Sequence, residues 1–516
     1  MRKRGMRKKL LSRAALSATL CLILFFVCIA FSIYSSALSV LALPLPLTNT
    51  PTFPVSDDIS ANCRLIEREG DREGETVPTH HLAIVKIYED ETIQGDVWIP
   101  AELLRELKSP VRLNDSEDAF TVRVASPANV FGVPALAALA GNALDLEFRA
   151  RSDDNVRRFN LRGTERVAGV SYRLTDRGTV LVAPSDKLPP ADFPGRKPLP
   201  ALRKRFNLVW DHVIDDNADL TAEDLPAALD VISPTWFALA DETGVSFNKA
   251  DRAYVEAAHS RGVHVWALVS NSFNRARTRK FLANPKAQDL FIARLLAYAR
   301  IYGLDGINID FEGVDNTDAA RLTAFTRRLT MAAKTMGLVV SIDVMVPTKW
   351  SMCYERASLA RIVDYVAVMT YDEHWRSSPK AGSTASLPWV RRGLANTLVE
   401  VPADKLLLGI PLYTREWEES RGAGGKISVK SKAMAMASAD ERLRDTGASK
   451  VWLGSAGQHY FQYISDDKTY KVWMEDESSL KLRMNLVREN NLAGAAFWRK
   501  GFERNEVWGA IGAGRP

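Results

Sequence analysis

The segment Tyr302-Gly303-Leu304-Asp305-Gly306-Ile307-Asn308-Ile309-Asp310-Phe311-Glu312 is where residue type and spacing suit chemistry. Asn308, Asp310 and Glu312 alternate with Ile307, Ile309 and Phe311. Alternate side chains of a strand share a face, so one face collects two carboxyls and an amide while the other collects three hydrophobes. Neighbouring carboxyls discourage each other's ionisation, and one that stays protonated near neutral pH can protonate a leaving group and then act as a base. The bland alternative is a solvated charged face, since a chain with 62 acids in 516 residues meets this spacing by chance. The intervening Ile and Phe side chains argue against it, because an exposed loop would not bury every second residue. A polar row that faces a core is costly unless it is paired or working.

Such a row requires a sheet with an enclosed face. Strand-like runs are expected at Phe206–Trp210, Val231–Leu239, Val263–Val269, Gly306–Phe311, Val339–Val346, Tyr365–Tyr371, Leu406–Leu412 and Ala493–Trp498. Amphipathic helical stretches such as Pro285–Tyr302 and Thr317–Met336 fall between them. This alternation suits a closed barrel or a doubly wound sheet. Eight repeats, with no G-x-G-x-x-G or Walker-type loop after the first, favour a (β/α)8 TIM barrel over residues 204–516. Glu312 would then end the fourth strand, at the face where barrel enzymes keep their chemistry. A small α+β insertion is expected between strands seven and eight, with a helix near Ser438–Arg444 and a hairpin of Tyr460–Ile464 and Tyr470–Met474.

Upstream, residues 81–183 alternate short β-type runs (Leu82–Tyr88, Val97–Pro100, Phe120–Val124, Leu144–Arg149, Val167–Leu174, Val180–Val182) with helical stretches Ala101–Lys108 and Pro134–Ala140. They read as a small α+β domain without a catalytic constellation. Its run Gly95–Leu104 resembles the stalk domains of bacterial exported proteins, which implies a spacer or wall-contact module. Six prolines between Pro184 and Pro200 make residues 184–203 a stiff linker.

The net charge of +6 is local rather than general. Arg2, Lys3, Arg4, Arg7, Lys8, Lys9 and Arg13 precede every acid, and without those seven the chain has 61 basic residues against 62 acids. A neutral folded part gives nucleic acid no footing. Residues 14–43 carry no charge and are long enough to span a bilayer. With residues 1–13 basic, this predicts a signal-anchor with its N-terminus inside and the rest of the chain outside the cell membrane; the rival is a cleaved signal peptide and a secreted protein. Residues 44–80, rich in Pro, Thr, Ser and charge, read as a tether. Of four cysteines, Cys21 and Cys28 lie in the apolar run, leaving Cys63 and Cys353 free to pair in an oxidising compartment. No metal site is expected, since neither has ligands at the right spacing.

Asp305-Gly306-x-x-x-Asp310-x-Glu312 resembles the fourth-strand signature of family 18 glycoside hydrolases, the chitinase-like barrels. Met369-Thr370-Tyr371-Asp372 resembles the family's strand-six element, Gly409-Ile410-Pro411-Leu412-Tyr413 its strand-seven element, and Trp498 stands where the family ends strand eight. The strings Asp372–Trp375, Ser386–Trp389 and Tyr413–Trp417 are similar to the bacterial branch that holds spore cortex and cell-wall lytic N-acetylglucosaminidases. The resemblance implies retaining, substrate-assisted hydrolysis of β-1,4 bonds beside N-acetylglucosamine. Glu312, Asp310 and Tyr371 would be catalytic: Glu312 as acid and then base, Asp310 on the acetamido N–H, Tyr371 on the acetamido oxygen. Asn308, Met369, Asp372, Tyr413, Arg415 and Trp498 would bind substrate, with Trp498 as the floor under the sugar.

Asn308 departs from the third Asp of many chitinases, which puts a proton shuttle between it and Asp310 in doubt. His374, Trp375 and Trp417 read as rim residues, and Asp305 as a structural residue at the start of the strand. No cofactor is implied, and oligomeric state is not legible. Peptidoglycan is favoured over chitin as the polysaccharide partner. A lectin-like sugar binder and an envelope scaffold on the same barrel are the non-enzymatic alternatives.

Overall fold

Eight parallel strands close on themselves in the computed structural model, which describes residues 63–67, 81–86 and 97–513 apart from 115–118, 154–155, 175–178, 187–189, 191–198 and 423–425. They are β1 (Phe206–Asp211), β2 (Val231–Pro234), β3 (His264–Ser270), β4 (Gly306–Asp310), β5 (Val339–Met345), β6 (Tyr365–Met369), β7 (Leu406–Pro411) and β8 (Gly494–Trp498). Each pairs with the next, and β8 returns to β1 in the register Phe206↔Gly494 to Trp210↔Trp498. Closure leaves the barrel no free edge. β1 and β7 are buried at every position, which is why strands covered on both faces read as unbroken apolar runs.

The chain divides into two units, residues 1–57 with 66–81 and residues 58–65 with 82–516. Nearly all the described residues belong to the second. The expected basic segment 1–13, the membrane span 14–43 and most of the tether and linker lie outside the described residues. Among the described residues no helix is long and apolar enough to cross a membrane.

The expected second strand is two. After Val231–Pro234 the chain bends through Thr235 and Trp236 and resumes as Phe237–Leu239, which pairs antiparallel with Ser246–Asn248. Pro234 lacks the N–H that would carry the ladder on, and Trp236 turns instead to donate its ring N–H to Asn217 at 2.5 Å. The helix Pro285–Tyr302 shows its boundaries in its sequence: Asn284 caps it by accepting from Ala287 N–H at 3.2 Å, Pro285 opens it, and Gly303 ends it at φ +76°.

The barrel floor is filled by Phe206, Leu208, Trp210, Trp266, Leu268, Leu407 and Ala496. Gly306 permits this, because a Cβ there would come within 2.7 Å of the Trp266 ring. The outer faces pack on helices as the alternation predicts. Phe311 stacks on Phe325 at 5.3 Å, and Ile307 and Ile309 join the same outer core.

Residues 97–184 form small antiparallel sheets, Val111–Leu113 with Ala119–Ala125 and Ala143–Arg149, Trp98–Pro100 with Arg151–Asp153 and Val156–Asn160, and Thr179–Pro184 between Val170–Leu174 and the strand His81–Lys86. They lean on the barrel instead of standing off from it. The Tyr298 hydroxyl bridges the backbone of Glu147, accepting from its N–H at 2.8 Å and donating to its C=O at 2.9 Å. Arg294 donates to the Asp145 carbonyl at 3.0 Å, and the apolar core runs without a break from Phe148 into the barrel helices.

The insertion between β7 and β8 is a five-stranded antiparallel sheet carrying the helix Met436–Thr446. Its hairpin Gln458–Ser465 and Lys468–Met474 turns at Asp466 and Asp467, both at positive φ (48° and 57°), which Asp tolerates better than most residues. Cys353 is a free, buried thiol.

Candidate active site

The polar row of β4 points into the barrel, and neighbouring strands complete it. Asn308 is fully buried and spends its whole amide on protein. Its oxygen accepts from Trp210 Nε1 at 2.9 Å and Ser233 Oγ at 3.4 Å, while its nitrogen donates to Ser341 Oγ and Asp343 Oδ1, both at 2.9 Å. It therefore ties β1, β2, β4 and β5 together inside the barrel. A carboxyl there could not donate two N–H bonds at once.

Above it stand Asp310, 7% exposed, and Asp343 of β5, 1% exposed. Burial pushes both well above the usual carboxylate range. The charge of Asp343 adds to the effect on Asp310, and the Asn308 N–H partly offsets it at Asp343. Asp310 Oδ1 is buried with no hydrogen-bond partner among the described residues. Glu312, at the mouth, is raised from the ordinary 4.5 to about 8, first by burial and then by the charges of Asp310 and Asp372. It thus holds its proton at neutral pH, as a general acid requires.

The backbone that carries Glu312 is gripped from the neighbouring loops. Asn271, just past β3 and fully buried, accepts from Glu312 N–H at 3.1 Å and donates to Glu312 C=O at 2.7 Å. Thr278 accepts from the same amide nitrogen at 2.9 Å. The carbonyls on either side are held too, Phe311 by the Tyr354 hydroxyl at 2.9 Å and Gly313 by Arg275 Nε at 3.2 Å. Sequence reasoning missed these residues, because a polar loop after one strand gives no hint that it clamps the next. Asp343 was legible in principle: Ser341 and Asp343 alternate with aliphatics in the fifth strand as Asp310 does in the fourth.

The other wall comes from β6 to β8. Met369 is buried at the end of β6, in register with Met345 of β5. Tyr371 follows it, its phenol pushed up first by burial and then by Asp343, Glu312 and Asp310, and its ring lies 6.4 Å from that of Tyr413. Asp372 adopts φ +58°, and its carboxylate accepts from the Tyr413 hydroxyl at 2.6 Å and Arg415 Nη2 at 3.3 Å. Trp498 closes the row, 6.1 Å from the Trp210 ring. The site thus brings Asp310, Glu312, Tyr371, Asp372, Tyr413, Arg415 and Trp498 to one end of the barrel.

Other residues singled out by motif have structural surroundings. Asp305 is buried at the start of β4, bonded to Val265 N–H and His259, each at 2.8 Å. His374 bonds the Ser383 carbonyl at 2.9 Å, Trp417 is fully buried, and Trp375 lies on the exposed rim. Among the described residues no cluster of His, Cys, Asp and Glu is arranged to hold a metal ion.

The family model described as Glycosyl hydrolases family 18 matches residues 212–502, more than half of the chain. The chain belongs to this family. The uncharacterized glycosylase YvbX of Bacillus subtilis (strain 168) is 26% identical to it over 292 residues, 53% of this chain and 81% of YvbX. The cortical fragment-lytic enzyme of the same organism is 26% identical over 249 residues, 47% of this chain. The chain spans only 57% of that enzyme's length. The C-terminal domain of a putative chitinase from Desulfitobacterium hafniense DCB-2 shares the fold, with a TM-score of 0.54 at 24% identity over 61% of this chain and 100% of that one. Family 18 membership agrees with where the polar row lies, at the C-terminal ends of the barrel strands.

Proposed function

We propose that the chain is a retaining glycosidase that cleaves β-1,4 bonds next to N-acetylglucosamine in envelope polymers, with peptidoglycan favoured and chitin-type chains second. The observation that carries this is Glu312, a carboxyl held protonated to about pH 8 at the mouth of the barrel. It protonates the leaving oxygen and then activates water. The nucleophile is the sugar's own acetamido oxygen, as in substrate-assisted glycosidases. Asp310, whose Oδ1 has no hydrogen-bond partner among the described residues, accepts the acetamido N–H and steadies the cationic intermediate. The Tyr371 hydroxyl supports the acetamido oxygen, and the Trp498 ring carries the sugar. We also propose that residues 14–43 anchor the chain in the cell membrane with the barrel outside; the basic cluster ahead of an uncharged run supports this.

The test is release of reducing ends from purified peptidoglycan and from chitin oligosaccharides by the full chain beside Glu312→Gln, which keeps size and polarity but has no proton to give. The expected loss in the variant is about a thousandfold. Equal release by both proteins would remove Glu312 from the chemistry. Tight sugar binding with no release by either would turn the reading to a lectin.

A further inference from the structure

Directly after Trp498 stands a cation, Arg499, whose guanidinium has no hydrogen-bond acceptor among the described residues. Arg499 is part-buried, with its guanidinium over the Phe502 ring, 4.0 Å from the centroid. Phe502 lies 6.4 Å from Tyr413, and on the other side the His212 ring stands 5.9 Å from Trp498. Arg499 therefore sits on the rim of the site, between the sugar floor and the Tyr413–Asp372 pair. Among the described residues no oxygen accepts from its guanidinium; Asp211 and Glu503 reach it only through their fields.

Asp211 accepts from the Tyr254 hydroxyl at 2.6 Å, and burial pushes the Glu503 carboxyl up, its Oε2 having no hydrogen-bond partner among the described residues. The adjacent Lys500 differs, being paired with Glu223 at 2.6 Å. A guanidinium stacked by its face on a ring keeps its N–H edge free, and that fork matches a carboxylate. That edge is open to solvent, where an acceptor from outside the chain can reach it.

We infer that Arg499 is a specificity-determining residue that binds a carboxylate borne next to the sugar stacked on Trp498, and so selects carboxylated amino-sugar chains over plain chitin-type ones. The inference rests on the cleft being the sugar site proposed above. In peptidoglycan the carboxylate has two sources: the lactyl group of muramic acid on peptide-free strands, and the acidic residues of the stem peptide.

The experiment is calorimetric binding by the full chain in the Glu312→Gln background, with and without Arg499→Gln. Its ligands are a chitin tetrasaccharide, a peptide-free glycan tetrasaccharide and the same glycan with its peptides. We expect Arg499→Gln to lower the preference for a carboxylated chain over chitin by about tenfold or more, and the glycan that responds identifies the source. Methyl esterification of that glycan should produce the same loss with Arg499 intact, a result that needs no change at Arg499. A preference that survives both changes overturns the inference. Because turnover is absent from this measurement, failure of the glycosidase reading appears separately, as lack of release by the unmodified protein.

Discussion

Two acid-rich regions of this molecule use the same residue types to opposite ends. On the insertion, Glu416, Glu418 and Glu419 line one strand, and each has partners. Glu416 takes Arg442 at 3.0 Å and Tyr463 at 2.6 Å, Glu418 takes Lys468 at 3.1 Å, and Glu419 takes Lys471 at 2.7 Å. The Lys468 hydrogen bond holds the Glu418 carboxyl below its ordinary range. In the barrel, Asp310, Asp343 and Glu312 have no Lys or Arg as partner among the described residues, and burial drives all three up. A cation makes an acid structural; withholding one leaves a proton available for transfer. Orientation follows the same division, since the insertion glutamates are aimed by their side-chain partners whereas Glu312 is aimed through its backbone.

After loss of Glu312 itself, the largest effect should come from breaking that backbone grip. Asn271→Ala removes both contacts to Glu312 and should lower kcat by about 10- to 100-fold with a smaller change in KM, as expected when an acid is misplaced by about an ångström. Asn271→Asp, which can accept from the Glu312 N–H but not donate to its carbonyl, should recover part of the loss. A kcat within about twofold of wild type in Asn271→Ala would mean that the grip is not what orients the acid.

The proton itself comes next. With Glu312 raised to about 8, kcat/KM should hold up to that pH and then fall about tenfold per unit. Stability follows from the same shift. The folded state keeps the proton longer than the unfolded state, whose value is near 4.5, so folding is favoured below that value and loses stability as pH rises towards 8. Glu312→Gln does not titrate, so its Tm advantage over wild type should widen between pH 5 and pH 8. A constant difference would contradict the raised pKa.

The smallest effect belongs to the paired region. Glu418→Gln should shift Tm by no more than about 2 °C and leave the pH profile of hydrolysis in place, since surface pairs contribute little. A displaced profile would blur the division between the two regions.

Much of this was legible because barrel strands advertise themselves. Runs such as Leu406–Pro411 are apolar throughout, and the alternation around Asp310 assigns each side chain to a face. What escaped reading was set by contacts distant in sequence. The grip of Asn271 on Glu312 spans 41 residues, and the amide hub of Asn308 draws on four strands. In residues 97–184 the strands Arg151–Asp153 and Val156–Asn160 were missed because short, charge-rich strands lack the β-type pattern. The break after Pro234 carried a signal, a proline within an apolar run.

The insertion leaves and rejoins the barrel at one place. Its first strand, Tyr413–Arg421, begins two residues after β7 and pairs with its last, Lys468–Met474, and the Thr414 hydroxyl bonds the Trp473 carbonyl there. Ends that meet make the cassette between them nearly independent of barrel closure, because lengthening such a loop adds little closure entropy. A lineage can therefore exchange this cassette wholesale while β7, the helix Glu477–Glu489 and β8 keep the barrel closed around the acid row of β4 and β5.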